Sequence, residues 1–126
     1  MAEPQTVLVV EDDAAVRRMY RAALSFAGFV VLEAEDALAA LRSLDQYPVD
    51  LVILDLMLPT LSGLAVQQEI AAHAHTADLP VVIVTGSDMS LDEVDVACIL
   101  RKPVTPEQLV DAVRSCLASG ARGIAF

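Results

Sequence analysis

Short aliphatic runs alternate with helical stretches along the whole chain, and this alternation is the feature that most constrains the fold. The runs have the length and the unbroken apolar character of strands that are buried on both faces of a sheet. They cover residues 6–10, 29–33, 49–55, 81–85 and 96–100. Strands that alternate with helices pair in parallel, so the chain is predicted to be an α/β protein with helices on both faces of one parallel sheet.

Capping residues mark where the intervening helices begin and end. Asp13 is a good N-cap for a helix over residues 14–27, and Gly28 suits the conformation that follows a helix C-terminus. Residues 105–108 read Thr-Pro-Glu-Gln, a capping box with proline at the first helical position, which starts a last helix that runs to about Ser119. Two further helices are predicted over residues 37–45 and 64–73.

The segment between the fourth and fifth strands departs from this rhythm. Residues 86–95 are acidic and contain only Met89, Leu91 and Val94 as apolar residues. The segment is barely long enough for a crossover helix. We therefore expect one short helical turn or an irregular, mobile loop, so that the fourth helix is short or absent.

The composition excludes several classes of function. The 126 residues suit one domain, and the apolar fraction of 56% is mostly aliphatic. No apolar run approaches the roughly 20 residues that span a membrane, and no export signal opens the chain, which favours a cytoplasmic protein. The net charge of −10 argues against direct binding to nucleic acid. Cys98 and Cys116 lie in apolar segments and are interpreted as reduced, buried thiols.

Acidic residues follow two of the predicted strands. Glu11 and Asp12 come directly after the first strand, and Asp55 closes the third. The carboxyl ends of parallel strands meet at one edge of the sheet, so these carboxylates are expected to lie together. Like charges at one edge raise the free energy of each other's ionised form and call for a cation or a proton. Because carboxylates bind Mg²⁺ and can attack phosphorus, the arrangement suggests a metal-dependent phosphoryl site.

The remaining strand ends contribute a hydroxyl group and an ammonium group. Thr85 closes the fourth strand, and Lys102 and Pro103 follow the fifth. Both a hydroxyl and an ammonium group can bind phosphoryl oxygens. Taken alone, Thr85 is typical of a junction between a strand and a turn, and Lys102 with Pro103 is typical of a turn. Only the residues at all the strand ends together indicate a site.

At these positions the chain resembles the receiver domains of two-component response regulators. The matching stretches are VLVVEDD at residues 7–13, LDLMLP at 54–59 with Ser-Gly at 62–63, VTG at 84–86, and Lys-Pro at 102–103. They follow the family's order over almost the whole chain, so the resemblance implies one receiver domain over residues 1–126. It also implies a flavodoxin-like, doubly wound α/β fold with five parallel strands.

The resemblance implies a phosphoacceptor and a metal site. Asp55 would accept the phosphoryl group. Mg²⁺ would be held by Asp55, by Asp12 directly, by Glu11 largely through water, and by the backbone carbonyl of Met57. The phosphodonor would be a phosphohistidine on a sensor histidine kinase or a histidine phosphotransfer protein.

The resemblance also implies the switch residues. Thr85 would read out the phosphoryl group, and Lys102 would pair with Asp55 or its phosphate. Pro103 would follow a cis peptide bond that aims Lys102 inward. The chain would then act as a signalling domain that changes its binding to a downstream protein partner. It would catalyse only its own phosphorylation and dephosphorylation, and would not be an enzyme in any other sense.

Two features depart from the family's pattern. Ile99, three residues before Lys102, stands where the family usually has a tyrosine or phenylalanine that switches rotamer with the threonine. We interpret Ile99 as a core residue. Thr85 and Lys102 are 17 positions apart, about five fewer than is usual, which is over one helical turn. The family's usual output surface is therefore expected to be altered.

Alternative functions are compatible with parts of this pattern. Ile99 and the short crossover leave open a degenerate receiver that acts as a constitutive protein-binding module. A phosphatase of the haloacid dehalogenase type would also use a strand-end aspartate with Mg²⁺, but it needs a second aspartate where this chain has Met57. Two interpretations of the chain are open, a stand-alone receiver and a piece of a larger protein. The native-looking start at residues 1–4 favours the former.

Overall fold

The strands and helices alternate in the structure as the apolar runs predict. The computed structural model describes residues 3–55, 58, 63–73, 75–86 and 98–119. In chain order the elements are β1 (Thr6–Val10), α1 (Ala14–Phe26), β2 (Val30–Ala34), α2 (Ala37–Gln46), β3 (Leu51–Asp55), α3 (Gly63–Ala72), β4 (Val81–Thr85), β5 (Cys98–Arg101) and α4 (Pro106–Ser119). No helix in these ranges has the length and apolar character needed to cross a membrane.

The five strands form one parallel sheet in the order β2-β1-β3-β4-β5, which confirms the predicted flavodoxin-like fold. The direction in which successive strands join the sheet reverses after β2. The chain passes from β1 outward to β2 and then returns to place β3 on the other side of β1. At such a switch point the helices that follow the two strands lie on opposite faces and leave a crevice beyond the strand ends. Val10 pairs with Leu54, so the residues that follow β1 and β3 lie at this crevice.

The sheet is covered on both faces by helices. Alternate residues of β1 point to opposite faces: Val7 and Val9 pack in the cluster beneath α1 and α4, and Leu8 and Val10 pack in the cluster beneath α2 and α3. Full burial of each such side chain contributes about 1.5–3 kcal/mol. A sheet that is apolar on both faces therefore fixes the position of the strand ends, and with them the position of the crevice.

The capping residues also behave as predicted. The Asp13 side chain accepts hydrogen bonds from the Ala15 and Val16 amides, at 2.9 and 3.1 Å, and begins α1. Gly28 follows α1 with a φ of 100°, a conformation that other residues rarely adopt. Because Asp13 caps α1 so soon after β1, only three residues, 11–13, separate strand and helix.

The interpretation of Ile99 as a core residue is wrong. Its side chain is 38% exposed, and β5 is an edge strand of the sheet. Leu100 packs against the cluster beneath α1 and α4. Ile99, one position earlier, points to the opposite face. Among the described elements of that face, α2 packs mainly against β1 and β2, and α3 mainly against β3.

Some sequence-based predictions lie outside the described residues. These include the short or absent helix of the crossover, since residues 87–97 are not described. They also include the backbone carbonyl of Met57 and the side chain of Cys98. Cys116 is buried and forms no disulfide with the described residues, as expected.

The capping box at α4 gives a test of the local structure. Thr105 Oγ1 accepts a hydrogen bond from the Gln108 amide at 3.1 Å, and Gln108 Oε1 accepts one from the Thr105 amide at 3.0 Å. We expect Thr105→Ala to lower the free energy of unfolding by about 1 kcal/mol in urea denaturation, because the first acceptor is lost. Thr105→Ser keeps a hydroxyl and should stay within about 0.5 kcal/mol of wild type. Equal stability of the alanine variant and wild type would contradict this role.

Candidate functional site

Three carboxylates meet at the crevice between β1 and β3. Glu11 follows β1 and Asp55 closes β3, and both are buried, with 1% and 4% of their surfaces exposed. Asp12 is exposed beside them. One carboxylate oxygen from each of the three lies within 4.8 Å of the others. The sequence-based expectation that these acids lie together is therefore met.

Lys102 lies between the two buried carboxylates. Its Nζ is 2.9 Å from Glu11 Oε1 and 3.1 Å from Asp55 Oδ2, and donates a hydrogen bond to each. The peptide bond between Lys102 and Pro103 is cis, as the resemblance implies. Lys102 thereby links the ends of β1, β3 and β5.

Thr85 lies on the strand between β3 and β5. It closes β4 and is fully buried, and the preceding residue, Val84, pairs with Asp55. The Thr85 carbonyl accepts a hydrogen bond of 2.9 Å from the Lys102 amide. The main chains of Thr85 and Lys102 are thus joined directly by a hydrogen bond.

Burial and neighbouring charge set the protonation of this cluster. The pKa of Glu11 is raised from 4.5 to about 8, mainly by burial, with the Asp55 carboxylate adding to the effect and Lys102 opposing it. Burial alone would lower the pKa of Lys102, but the hydrogen bonds to Glu11 and Asp55 outweigh burial and raise it. Near neutral pH the lysine is therefore charged, while Glu11 can hold a proton.

One oxygen of Glu11 gives a physical test of whether the cluster suits a cation. Among the described side chains, Glu11 Oε2 is buried without a hydrogen-bond partner. An unpaired buried acceptor costs about 1–3 kcal/mol. A hard cation beside these carboxylates, or a water bound to that cation, would give the oxygen a partner. The donor set consists of carboxylate oxygens, the ligand type that Mg²⁺ and Ca²⁺ prefer.

The structure brings together most of the predicted site residues and adds one that the sequence analysis missed. Glu11, Asp12, Asp55, Thr85 and Lys102 all lie at the carboxyl edge of the sheet. The added residue is Arg17, whose Nη1 donates a hydrogen bond of 2.8 Å to the Glu11 carbonyl. No sequence pattern marks this contact, because its acceptor is a main-chain oxygen.

Comparisons with known proteins agree with this geometry. The family model for the response regulator receiver domain matches residues 7–114. The chain is similar to the phosphate regulon transcriptional regulatory protein PhoB of Pseudomonas aeruginosa, with 31% identity over 118 residues. It is also similar to the response regulator MprA of a Mycobacterium species, with 36% identity over 119 residues. Each alignment covers 90% of this chain but 52% and 51% of the relative, so the chain spans about half the length of these proteins.

Solved structures show the same fold. A putative response regulator from Chloroflexus aurantiacus has 30% identity and a TM-score of 0.85, over 91% of this chain and 98% of the other. The receiver domain of the sensor histidine kinase PA1611 from Pseudomonas aeruginosa has 24% identity and a TM-score of 0.84, over 91% and 98%. The latter structure is described with a magnesium ion coordinated in its active-site cleft. At 24% identity this second likeness establishes the fold alone.

The raised pKa of Glu11 predicts a specific dependence of stability on pH. Between pH 4.5 and about 8 the folded protein holds a proton on Glu11 that the unfolded chain releases. The free energy of unfolding should therefore fall as the pH rises through this window, by at most about 1.4 kcal/mol per pH unit for one group. In Glu11→Gln the titrating carboxyl group is replaced by an amide, so this contribution to the pH dependence is absent. We expect the wild type to lose stability relative to this variant from pH 5 to 8, in urea denaturation without divalent cations.

The matched control is Glu107→Gln, the same change at an exposed position of α4. Its stability curve should run parallel to that of the wild type. Parallel curves for wild type and Glu11→Gln would show instead that Glu11 is ionised throughout the window.

Proposed function

This chain belongs to the family of response regulator receiver domains of two-component systems, and we propose that Asp55 is its phosphoacceptor. One observation carries the proposal: the Asp55 carboxylate closes a central strand, is 4% exposed and lies 3.1 Å from the Lys102 ammonium group. A carboxylate so placed is pre-oriented by its strand and by a cation. Glu11 and Asp12 lie within reach of the same point.

The proposed reaction is a phosphoryl transfer from nitrogen to oxygen. A carboxylate oxygen of Asp55 attacks the phosphorus of a phosphohistidine, the P–N bond breaks, and its electron pair stays on the imidazole nitrogen. The product is an aspartyl phosphate, which water later hydrolyses. The protein's contribution to such a transfer is positioning and electrostatic stabilisation, and no further covalent chemistry is required.

We propose Mg²⁺ as the cation at the acidic cluster, held by Glu11, Asp12 and Asp55. The unpartnered Glu11 Oε2 and the all-oxygen donor set support this assignment. When bound, Mg²⁺ supplies positive charge against the phosphoryl oxygens. A fourth ligand, the Met57 carbonyl, stays a prediction, since it lies outside the described residues.

Lys102 and Thr85 are proposed to bind the transferred phosphoryl group. The Lys102 ammonium group holds Asp55 before transfer and remains within reach of a phosphoryl oxygen afterwards. The Thr85 hydroxyl group is proposed to donate a hydrogen bond to another phosphoryl oxygen. Because the Lys102 amide is bonded to the Thr85 carbonyl, both groups would respond to phosphorylation together.

The proposed partners follow from the family. The donor would be a sensor histidine kinase or a histidine phosphotransfer protein, and the phosphorylated state would change binding to a downstream protein. We propose a signalling domain that catalyses only its own phosphorylation and dephosphorylation. Direct binding to nucleic acid is not proposed, since the net charge is −10.

A constitutive protein-binding module is the second candidate. One observation favours it: the position of the family's aromatic switch residue is occupied by Ile99, whose side chain is 38% exposed on an edge strand. An aliphatic side chain there cannot offer a hydroxyl or an aromatic ring to the switch. In this alternative the domain would bind its partner equally well with and without a donor.

Phosphorylation of Asp55 separates the two candidates. With acetyl phosphate and excess Mg²⁺, intact-mass measurement should show one added phosphate on the wild type. Asp55→Asn should show none, because the amide is not a nucleophile for this transfer. Removal of Mg²⁺ by a chelator should also abolish the labelling.

The control variant is Asp111→Asn, which makes the same change at an exposed position of α4. It should be labelled as fully as the wild type. A wild type that stays unlabelled in saturating Mg²⁺ would support the constitutive module, and labelling of Asp55→Asn would place the phosphate elsewhere.

A further inference from the structure

We infer that Arg17 is a positioning residue that holds the Glu11–Asp12 segment in the orientation that a divalent cation requires. The inference rests on the proposed function, since it concerns the same acidic cluster. Among the described residues, Arg17 forms no hydrogen bond or ion pair with Asp55 or with Lys102. It acts on the cluster through the main chain of Glu11.

The main chain of Glu11 is held from two sides. Its amide donates a hydrogen bond of 3.0 Å to the Ala34 carbonyl at the end of β2. Its carbonyl accepts a hydrogen bond of 2.8 Å from Arg17 Nη1 on α1. With both main-chain groups fixed, the Glu11 side chain is directed toward Lys102, and Asp12 is placed at the rim of the cluster.

Glu33 in turn fixes the Arg17 guanidinium group. Arg17 Nε lies 3.4 Å from Glu33 Oε1, and the Arg17 side chain is only 17% exposed. The guanidinium group is a rigid, planar fork, so contacts at Nε and Nη1 together determine its orientation. β2, α1 and the segment after β1 are thereby joined through one side chain.

The contact with a carbonyl distinguishes positioning from simple charge compensation. A cation that only balanced the acidic cluster would lie against its carboxylates, as Lys102 does. The Nη1 group of Arg17 instead donates to a neutral main-chain oxygen. A lysine at this position would keep the charge, but it would lose the fork that spans the Glu11 carbonyl and Glu33.

The chain offers a matched control in Arg21. It lies one turn further along α1 and its Nη1 is 2.7 Å from Glu33 Oε2, so it shares the carboxylate that Arg17 uses. Its side chain is 59% exposed, so solvent screening limits the stabilisation that its ion pair with Glu33 contributes. Arg21→Ala therefore removes an arginine from the same helix and the same acid while leaving the Glu11 carbonyl bonded.

The test measures Mg²⁺ affinity and the Glu11 amide separately. Titration of MgCl₂ followed by amide NMR gives the dissociation constant for wild type, Arg17→Ala, Arg17→Lys and Arg21→Ala, at a temperature where all are folded. We expect about 10-fold weaker binding for both Arg17 variants, the scale seen for residues that orient metal ligands. Arg21→Ala should stay within about 2-fold of wild type. Hydrogen exchange without Mg²⁺ should accelerate at the Glu11 amide in the Arg17 variants only.

Each outcome decides a different point. If Arg17→Lys binds Mg²⁺ like the wild type, charge alone suffices and the positioning role is overturned. If the Arg17 variants lose thermal stability but keep the wild-type dissociation constant and Glu11 exchange rate, Arg17 is merely structural and the inference also fails. If the wild type binds no Mg²⁺ at this cluster, the proposed metal site fails and the inference falls with it.

Discussion

Two buried carboxylates, those of Glu11 and Asp55, share the single ammonium group of Lys102. Without that group, two like charges would lie together in a region of low dielectric constant, where each raises the free energy of the other. Glu11 follows β1, Asp55 closes β3 and Lys102 follows β5. Their contact therefore requires the parallel sheet to bring three strand ends to one edge. The fold and the site therefore depend on each other at this point.

The charge balance of the cluster explains its chemical capacity. One lysine does not neutralise three carboxylates, and Glu11 keeps a buried oxygen without a partner. A proton on Glu11 or a divalent cation can each supply the missing positive charge. The two compete for the same carboxylate, since the pKa of Glu11 is raised to about 8. This charge balance supports the proposal that the cluster binds a cation and, with it, the negative charge of a phosphoryl group.

The sequence predicted the strands and the main site residues because their signals are local or follow from topology. Buried parallel strands read as unbroken apolar runs, so the observed bounds of β1 and β4 match the prediction. Lys102 and Glu11 are 91 positions apart, and only the meeting of parallel strand ends, together with the family resemblance, predicts their contact. Arg17 was missed because a bond to a main-chain carbonyl leaves no pattern in the sequence. Ile99 was misread because an apolar residue in a strand looks the same at the edge of a sheet as in its centre.

The proposed phosphoacceptor is Asp55, one of the two buried carboxylates bonded to Lys102. Borohydride reduces an acyl phosphate and converts the labelled aspartate into homoserine, which tandem mass spectrometry assigns to a position in the chain. After phosphorylation by acetyl phosphate in Mg²⁺, we expect homoserine at position 55 and at no other acidic residue. Homoserine at position 12 or 13, or a phosphorylated protein that gives no reduced aspartate, would show that a group other than Asp55 receives the phosphoryl group.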